Sequence, residues 1–276
     1  MQRLRSGNVA FRVAIAGSSF FRLVDRIFEI QNQGVAMDEM NYEVWKEWGQ
    51  DSFGRFDEHL ACYYAAELKK CMSRHDARPR IMEVGFGNGA FLAYCRSRGY
   101  PICGVEIIDE LVRRAREGGF EAYNDISALP PGVSYDLIFA FDVLEHIEAE
   151  ALARFLRELK AKLAPDGLLI ARFPNGDSPF GRSNQYGDVT HKTVIGSGSI
   201  RHLAASAGFD VVYCGSPAVP QTLRDFKFLL YRTLSWPLRF MIEKVLLFVY
   251  YPIRPITFEA NLVARLKSQL KTSDSE

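Results

Sequence analysis

The chain has 276 residues, 48% of them hydrophobic and 24% charged, with a formal net charge of +1. That length buries a substantial core as one elaborated domain, and the near-neutral balance excludes a general electrostatic pull towards nucleic acid. Five cysteines (Cys62, Cys71, Cys95, Cys103 and Cys214) are odd in number and form no CxxC pair, so neither a disulfide framework nor a zinc site is expected, and a reducing cytoplasm fits best.

Residues 1–78 read as an N-terminal helical cap. Arg3 and Arg5 precede an apolar run, but Arg12 interrupts it, and Val13–Phe21 is short for the hydrophobic region of a signal peptide. From Phe20, the residues Phe20, Phe21, Val24, Ile27, Phe28 and Gln31 follow helical spacing, with Arg22, Arg26 and Glu29 elsewhere on the wheel. Such a helix packs on the domain or on a second subunit, or lies on a membrane surface. Tyr42, Trp45 and Trp48 add aromatic surface, and Phe56–Lys70 has the pattern of an amphipathic helix.

Residues 79–215 alternate strand and helix. Strands are expected near 80–85, 101–106, 120–123, 135–141 and 167–173, and helices near 89–98, 108–118 and 149–164. The last helix is expected to stop at Ala164-Pro165-Asp166-Gly167. A helix over 197–207 and a strand over Phe209–Cys214 follow. The alternation predicts an α/β fold with a doubly wound parallel sheet.

Residues 216–254 are rich in aromatic side chains, among them Phe226, Trp236, Phe240, Phe248 and Tyr250, with Arg224, Lys227, Arg232, Arg239 and Lys244 interspersed. The longest run without charge, Val245–Ile253, falls well short of the about 20 apolar residues that cross a bilayer. Residues 222–252 therefore read as a peripheral membrane contact or a lid over a greasy acceptor, or alternatively as a homodimer interface or extra core. Residues 269–276 form a polar tail.

The chemistry is concentrated in Glu83-Val84-Gly85-Phe86-Gly87-Asn88-Gly89, a buried strand running into a glycine turn and the start of a helix. Glycine permits positive φ there and lets a ligand lie on bare backbone. The next strand ends in Glu106, 21 residues after Gly85. In a βαβ unit that carboxylate reaches the hydroxyls of a ribose over the turn, so an adenosine-type ligand is expected. The spacing GxGxG departs from the GxGxxG usual for dinucleotides.

With Asn124-Asp125-Ile126 and Tyr135-Asp136-Leu137-Ile138-Phe139-Ala140-Phe141-Asp142-Val143-Leu144-Glu145-His146-Ile147 added, the chain resembles the class I S-adenosylmethionine-dependent methyltransferases. In particular it resembles the branch with a "VLEHI" segment, which includes quinone O-methyltransferases and many bacterial sugar and glycan methyltransferases. The resemblance covers about residues 78–215 and a final strand near 256–266. It implies a Rossmann-like seven-stranded sheet closed by a terminal antiparallel strand within 255–268, which makes 216–254 a helical insertion before that strand.

By the same resemblance Glu83, Gly85, Phe86, Gly87 and Gly89 hold the methionine part of S-adenosylmethionine, and Glu106 with Ile107 holds the ribose. Asp125 bonds the adenine amino group with Ile126 against the ring, and Phe141 and Asp142 lie at the ligand-binding end of the fourth strand. Tyr42, Trp45, Phe53 and Arg55 are positioned to line the site. No metal is required. A hydroxyl acceptor needs a base: His191, in a segment resembling a "D-x-T-H" motif with Asp188 orienting the ring, is preferred to His146. In the polar loop 174–195, Asn175, Arg182 and Tyr186 are candidate acceptor contacts. The expected activity is O-methylation of a glycan or glycolipid precursor at the cytoplasmic membrane face, with an isoprenoid quinone or other lipophilic small molecule as the alternative acceptor. A non-catalytic cofactor-binding scaffold subunit is the alternative of another class.

Overall fold

The computed structural model describes residues 52–72, 78–219, 226–250 and 257–269. The expectations placed on residues 1–51, including Tyr42, Trp45 and the amphipathic pattern from Phe20, lie outside the described residues, as do those on 222–225, 251–256 and 270–276.

The first described helix, α1 (Glu58–Cys71), is started by Asp57, whose carboxylate accepts from Leu60 N at 2.8 Å. The core then alternates β1 (Ile81–Val84), α2 (Ala90–Ser97), β2 (Ile102–Val105), α3 (Asp109–Glu117), β3 (Glu121–Tyr123), β4 (Tyr135–Phe141), α4 (Ala149–Lys160) and β5 (Leu163–Pro174). The short helix α5 (Arg182–Tyr186), α6 (Ser197–Ser206), β6 (Phe209–Gly215), the long α7 (Phe226–Tyr250) and β7 (Asn261–Ser268) complete it.

The seven strands lie in the order β3-β2-β1-β4-β5-β7-β6. The pairs β1–β2, β1–β4, β2–β3 and β4–β5 are parallel, and β7 runs antiparallel between β5 and β6. The doubly wound Rossmann-like sheet with a terminal antiparallel strand is therefore present. A parallel strand flanked on both faces must be apolar throughout. All four residues of β1 are buried accordingly, and one of them is Glu83.

Two apolar layers cover the sheet. One joins Met82, Ile138 and Leu169 of the parallel strands and Leu262, Ala264 and Leu266 of β7 to Leu152, Leu156 and Leu159 of α4 and Ile200 of α6. The other is aromatic, with Tyr63 and Tyr64 of α1 and Phe91 of α2 against Phe139 and Phe141 of β4. Phe91 lies 5.0 Å from Tyr64 and 4.7 Å from Phe139 between ring centroids. Such contacts favour tilted and edge-on rings.

Two boundaries differ from the sequence expectation. Helix α4 stops at Lys160 rather than 164, because Lys162 O already accepts from Tyr135 N at 2.9 Å and Leu163 pairs with Tyr135 in the sheet. The Ala164-Pro165-Asp166-Gly167 segment is a strand irregularity, not a helix stop. A Cβ on Gly167 would stand 2.9 Å from Tyr135 O, so only glycine lets the strands close up again. The last strand begins at Asn261 rather than near 257, because the preceding carbonyls are taken by other donors. Asn175 Nδ2 donates to Thr257 O and Glu259 O, Ser178 Oγ to Phe258 O, and Asn175 N to Ala260 O.

Helix α1 is tied to the sheet by a buried ion pair. Glu67 is 0% exposed, and its Oε2 accepts from Arg265 Nη2 of β7 at 3.1 Å while Oε1 accepts from Ala218 N. Removing one partner leaves the other charge buried and uncompensated. Glu67→Ala is expected to lower stability by about 3–5 kcal/mol, and Glu67→Met with Arg265→Met to recover most of that loss. Urea denaturation midpoints of the three proteins check this.

Candidate active site

The carboxyl ends of β1, β2, β4 and β5 form one edge, where open α/β sheets take their ligands. Gly85, Gly87 and Gly89 leave β1 with φ of +67°, +50° and +69°. Bare backbone is required as well as conformational freedom: a Cβ on Gly85 would meet Val143 Cγ2 at 2.5 Å, and one on Gly89 the Phe53 ring at 2.5 Å. The turn is fixed from β2. Glu106 Oε2 accepts from Gly87 N at 3.0 Å, and Oε1 from Ile107 N at 2.8 Å and Ile108 N at 3.3 Å.

A strap from the cap closes over the turn. Gly54 N donates to Asn88 O at 2.7 Å, and Asn88 Nδ2 donates to Ser52 O at 2.8 Å. Phe53 lies edge-on to Phe86 and Phe120. Phe86 itself is buried against β2, where Gly104 makes room, since a Cβ there would stand 2.5 Å from the Phe86 ring. Phe86 thus shapes the turn from beneath. The sequence reading assigns no role to Gly104 or Asn88; an isolated glycine inside a strand is the available signal.

Glu83 is the unusual group of β1. Its Oε2 has no hydrogen-bond partner among the described residues. Burial first, and then the neighbouring Glu106 carboxylate, push its pKa well above the usual carboxylate range. Burial also raises Glu106, against the pull of its three backbone N–H groups. A bare-backbone cradle lined by two buried acids fits a ligand that brings positive charge, as the sulfonium and ammonium of S-adenosylmethionine do. On the rim, Ile107 is 81% exposed beside Glu106. Asp125 sits in an exposed Asx-type turn, Oδ1 accepting from Ser127 N at 2.6 Å, with Ile126 half-buried next to it. These positions can hold the ribose and adenine.

At the end of β4 the expectation needs amending. Phe141 is buried in the aromatic layer, so its ring is not presented to a ligand. Asp142 has φ +57°, the one positive φ outside glycine among the described residues, and its carboxylate is held by Arg172 Nε at 2.9 Å and by Arg172 Nη2. Arg172 in turn lies over the Tyr63 and Phe141 rings at 5.2 and 5.1 Å. A strained residue locked by an ion pair at the ligand edge marks a built site. Arg172 gives no warning in the sequence, because it comes from the adjacent strand.

Beyond Asp142 the structure brings together Glu145, His146, Asp188 and His191. The His146 and His191 rings meet edge-on with centroids 4.6 Å apart. His191 Nδ1 donates to Gln185 O at 2.9 Å, so Gln185 orients the ring. Asp188 does not, a correction to the expected hydrogen bond: its Oδ2 lies 3.8 Å from His191 Nε2, beyond bonding distance. Asp188 Oδ1 instead accepts from Thr190 N at 2.9 Å and Thr190 Oγ1 at 2.5 Å. Glu145, to which the sequence reading gives no role, is 1% exposed, and its Oε1 stands 3.9 Å from His191 Nε2. Burial first, then the Asp142 carboxylate, pushes its pKa up to about 8, with Asp188 adding to the rise.

The loop expected to face the acceptor turns much of its polarity inward. Asn175 is 1% exposed and its amide is committed to the 257–259 backbone, so it fastens the loop rather than presenting itself to an acceptor. The reason is the antiparallel β7, whose approach sequence separation does not reveal. Arg182 and Tyr186 are exposed, the guanidinium 5.6 Å from the ring.

The sequence matches the methyltransferase domain family over residues 56–213. Comparison with curated proteins returned no match. Among solved structures the chain is similar to a SAM dependent methyltransferase from Archaeoglobus fulgidus, at 21% identity and TM-score 0.54 over 78% of this chain and 96% of that one. It is similar to the plantazolicin methyltransferase BpumL in complex with SAH, at 15% identity and TM-score 0.53 over 90% and 100%. It is also similar to the CcbJ methyltransferase from Streptomyces caelestis, at 12% identity and TM-score 0.51 over 80% and 96%. These likenesses bear on the fold; membership rests on the family match, which spans more than half of the chain.

A cation lodged beside Glu83 favours its ionised form against the raised pKa, so S-adenosylmethionine is expected to bind with release of a proton. Affinity therefore rises as pH rises through the pKa of the ligand-free protein. Calorimetry in buffers of different ionisation heat is expected to show that proton release. Glu83→Gln is expected to remove it and to weaken binding about tenfold or more, the equivalent of one pKa unit of differential interaction. Gly85→Ala is expected to abolish binding through its collision with Val143 and its strained left-handed φ.

From the glycine turn and its acids to the family match, these observations make the chain a member of the class I S-adenosylmethionine-dependent methyltransferases, an enzyme whose cofactor is S-adenosyl-L-methionine.

Proposed function

We propose that the protein methylates a hydroxyl oxygen of an amphiphilic acceptor, a glycan or glycolipid precursor handled at the cytoplasmic face of a membrane. The observation that carries the O-methylation is the gathering of Glu145, His146, Asp188 and His191 at the sheet's ligand edge, two residues and more beyond the Val143 that touches the glycine turn. The bound cofactor supplies an electrophilic methyl group. The chain's own residues have to hold the acceptor in line, exclude water and draw off the hydroxyl proton. A hydroxyl is a poor nucleophile while protonated, whereas a thiolate acceptor, already deprotonated, would not call for such a cluster.

The chain prepares this edge in three ways. Arg172 and Asp142 neutralise each other at the end of β4 and keep that backbone rigid. Lys192 N and Thr193 N donate to Glu145 O at 2.7 and 3.0 Å, stitching the His191 loop to the segment after β4. His191 Nε2 and the Glu145 carboxylate then face the same small volume, where a proton can be drawn away from the acceptor.

Helix α7 supports the membrane part of the reading. None of its described side chains is buried, and Leu234, Trp236, Leu238, Phe240, Met241, Ile242, Val245, Phe248, Val249 and Tyr250 are all exposed. Among the described residues no helix is long and apolar enough to cross a membrane. A helix so exposed, carrying Arg239 and Lys244 among its apolar groups, suits the headgroup boundary of a bilayer. Exposed Phe180, Tyr186 and Val189 on the acceptor-side loop favour, as a second reading, a wholly lipophilic acceptor such as an isoprenoid quinone.

Incubation with labelled S-adenosylmethionine and fractionated cell extract is expected to place label in lipid-linked saccharide; label in quinone supports the second reading, and label confined to protein overturns both. His191→Ala is expected to lower turnover about 10²–10⁴-fold while leaving cofactor affinity nearly unchanged. In flotation assays with anionic vesicles the protein is expected to rise with the lipid, and Trp236→Asp with Phe248→Asp to abolish this. A concentration-dependent dimer that does not float would instead assign α7 to a subunit interface.

A further inference from the structure

The two carboxylate oxygens of Glu145 accept no hydrogen bond among the described residues, although the side chain is 1% exposed. Leaving a buried carboxylate without donors is costly. What faces it is not a donor. His191 gives its Nδ1 hydrogen to Gln185 O, a carbonyl that can only accept. The neutral ring therefore turns the lone pair of Nε2 towards Glu145 Oε1 at 3.9 Å and Asp188 Oδ2 at 3.8 Å.

His146 is set in the same tautomer. The Thr190 hydroxyl spends its one hydrogen on Asp188 Oδ1, so across the 3.0 Å contact it must accept from His146 Nδ1. Both imidazoles thus have Nδ1–H anchored, which leaves the lone pair on Nε2, the outer-shell arrangement that orients histidines bound to a metal. One donor atom from each of Glu145, His146 and His191 lies within 4.8 Å of the others. Tetrahedral ligands each about 2.1 Å from a shared ion stand about 3.4 Å apart, so the 3.8 and 3.9 Å separations need to close by only a few tenths of an ångström to share one.

We infer that Glu145, His146 and His191, with Asp188 beside them, form a binding site for a single divalent cation next to the methyl-transfer site. Two imidazoles and a carboxylate select a borderline ion such as Zn2+, Mn2+ or Fe2+ over Ca2+ or Mg2+, which take oxygen ligands. The scaffold holds the donors before any ion arrives. Glu145 is clamped through its carbonyl by Lys192 N and Thr193 N, and Thr193 Oγ1 donates to Ile147 O at 2.7 Å. This departs from the expectation of metal-free catalysis, which rests on the cysteines and the electrophilic cofactor.

What the ion does there rests on the O-methylation reading given above; that it binds does not. An ion in this position takes the acceptor hydroxyl as a ligand and acidifies it. The O–H bond then breaks with the proton passing to a solvent water. The oxygen's electron pair forms the new bond to the methyl carbon as the carbon–sulfur bond breaks, its pair returning to sulfur and S-adenosylhomocysteine leaving as the neutral thioether.

The test begins with the whole chain, stripped of metal by a chelator and dialysed against Zn2+ or Mn2+ alone. One ion per chain is expected. Glu145→Gln and His191→Ala are each expected to weaken it at least tenfold, while His202→Ala, on the exposed face of α6, keeps it. S-adenosylmethionine affinity measured on the same variants reports that they are folded. Absence of a bound ion in the wild-type protein, or binding equally strong in folded Glu145→Gln, overturns the inference. Methyl transfer to a hydroxyl that persists undiminished in chelator, yet is lost in His191→Ala, overturns the metal while leaving the O-methylation reading in place. Stoichiometric binding with transfer to nitrogen or sulfur does the reverse.

Discussion

The contact on which this molecule turns is a carboxylate reaching three backbone N–H groups. Glu106, at the end of β2, accepts from Gly87 in the glycine turn and from Ile107 and Ile108 at its own strand end. That couples two adjacent parallel strands at the point where the chain leaves the sheet at positive φ, a conformation that local interactions alone do not hold. Three side chains are then packed about the fixed turn: Val143 against Gly85, Phe53 against Gly89, and Phe86 into the space left by Gly104. Each of these approaches is closed to a side chain bearing a Cβ, so the glycines and their neighbours form one steric unit.

Charge is distributed along the edge with a consistent logic. Near the turn burial raises the pKa of two acids, Glu83 and Glu106, with Arg172 offsetting part of the rise at Glu83, and a cationic ligand would favour their ionised forms. At the end of β4 the pattern changes, and Asp142 and Arg172 cancel each other. Farther on, Glu145 and Asp188 again stand together, but with His191 Nε2 turned towards both. The sheet edge therefore alternates between an acid cradle, a neutral clamp and a mixed nitrogen–oxygen pocket. The first suits the methyl donor, and the last suits activation of an acceptor.

The legibility of these parts in the sequence follows their range. Gly85, Gly87, Gly89 and Glu106 are readable because a βαβ unit is local: its spacing is dictated by one helix and two strands. The elements from β1 to β5 are readable for the same reason, through apolar periodicity. Asn175 reads wrongly as an acceptor contact because its partners, Thr257 and Glu259, are some eighty residues away and approach only when β7 inserts antiparallel between β5 and β6. The helix stop expected at Ala164–Gly167 is misplaced for a related reason. Its residues suit a turn, but pairing with β4 draws the segment into the sheet. Arg172 is invisible since nothing in its own strand announces a partner across the ladder.

The sequence by itself determined the order of elements, the cofactor turn, the acid that holds it and the family to which they belong, since short-range spacing and backbone sterics suffice for each. Only the tertiary structure decided that Gln185 rather than Asp188 orients His191, that Glu145 is buried without donors, and that α7 stands unburied among its described side chains. Those outcomes depend on which segments meet across the sheet edge, and a buried group's chemistry is set by the neighbours that surround it in space rather than by those beside it in the chain.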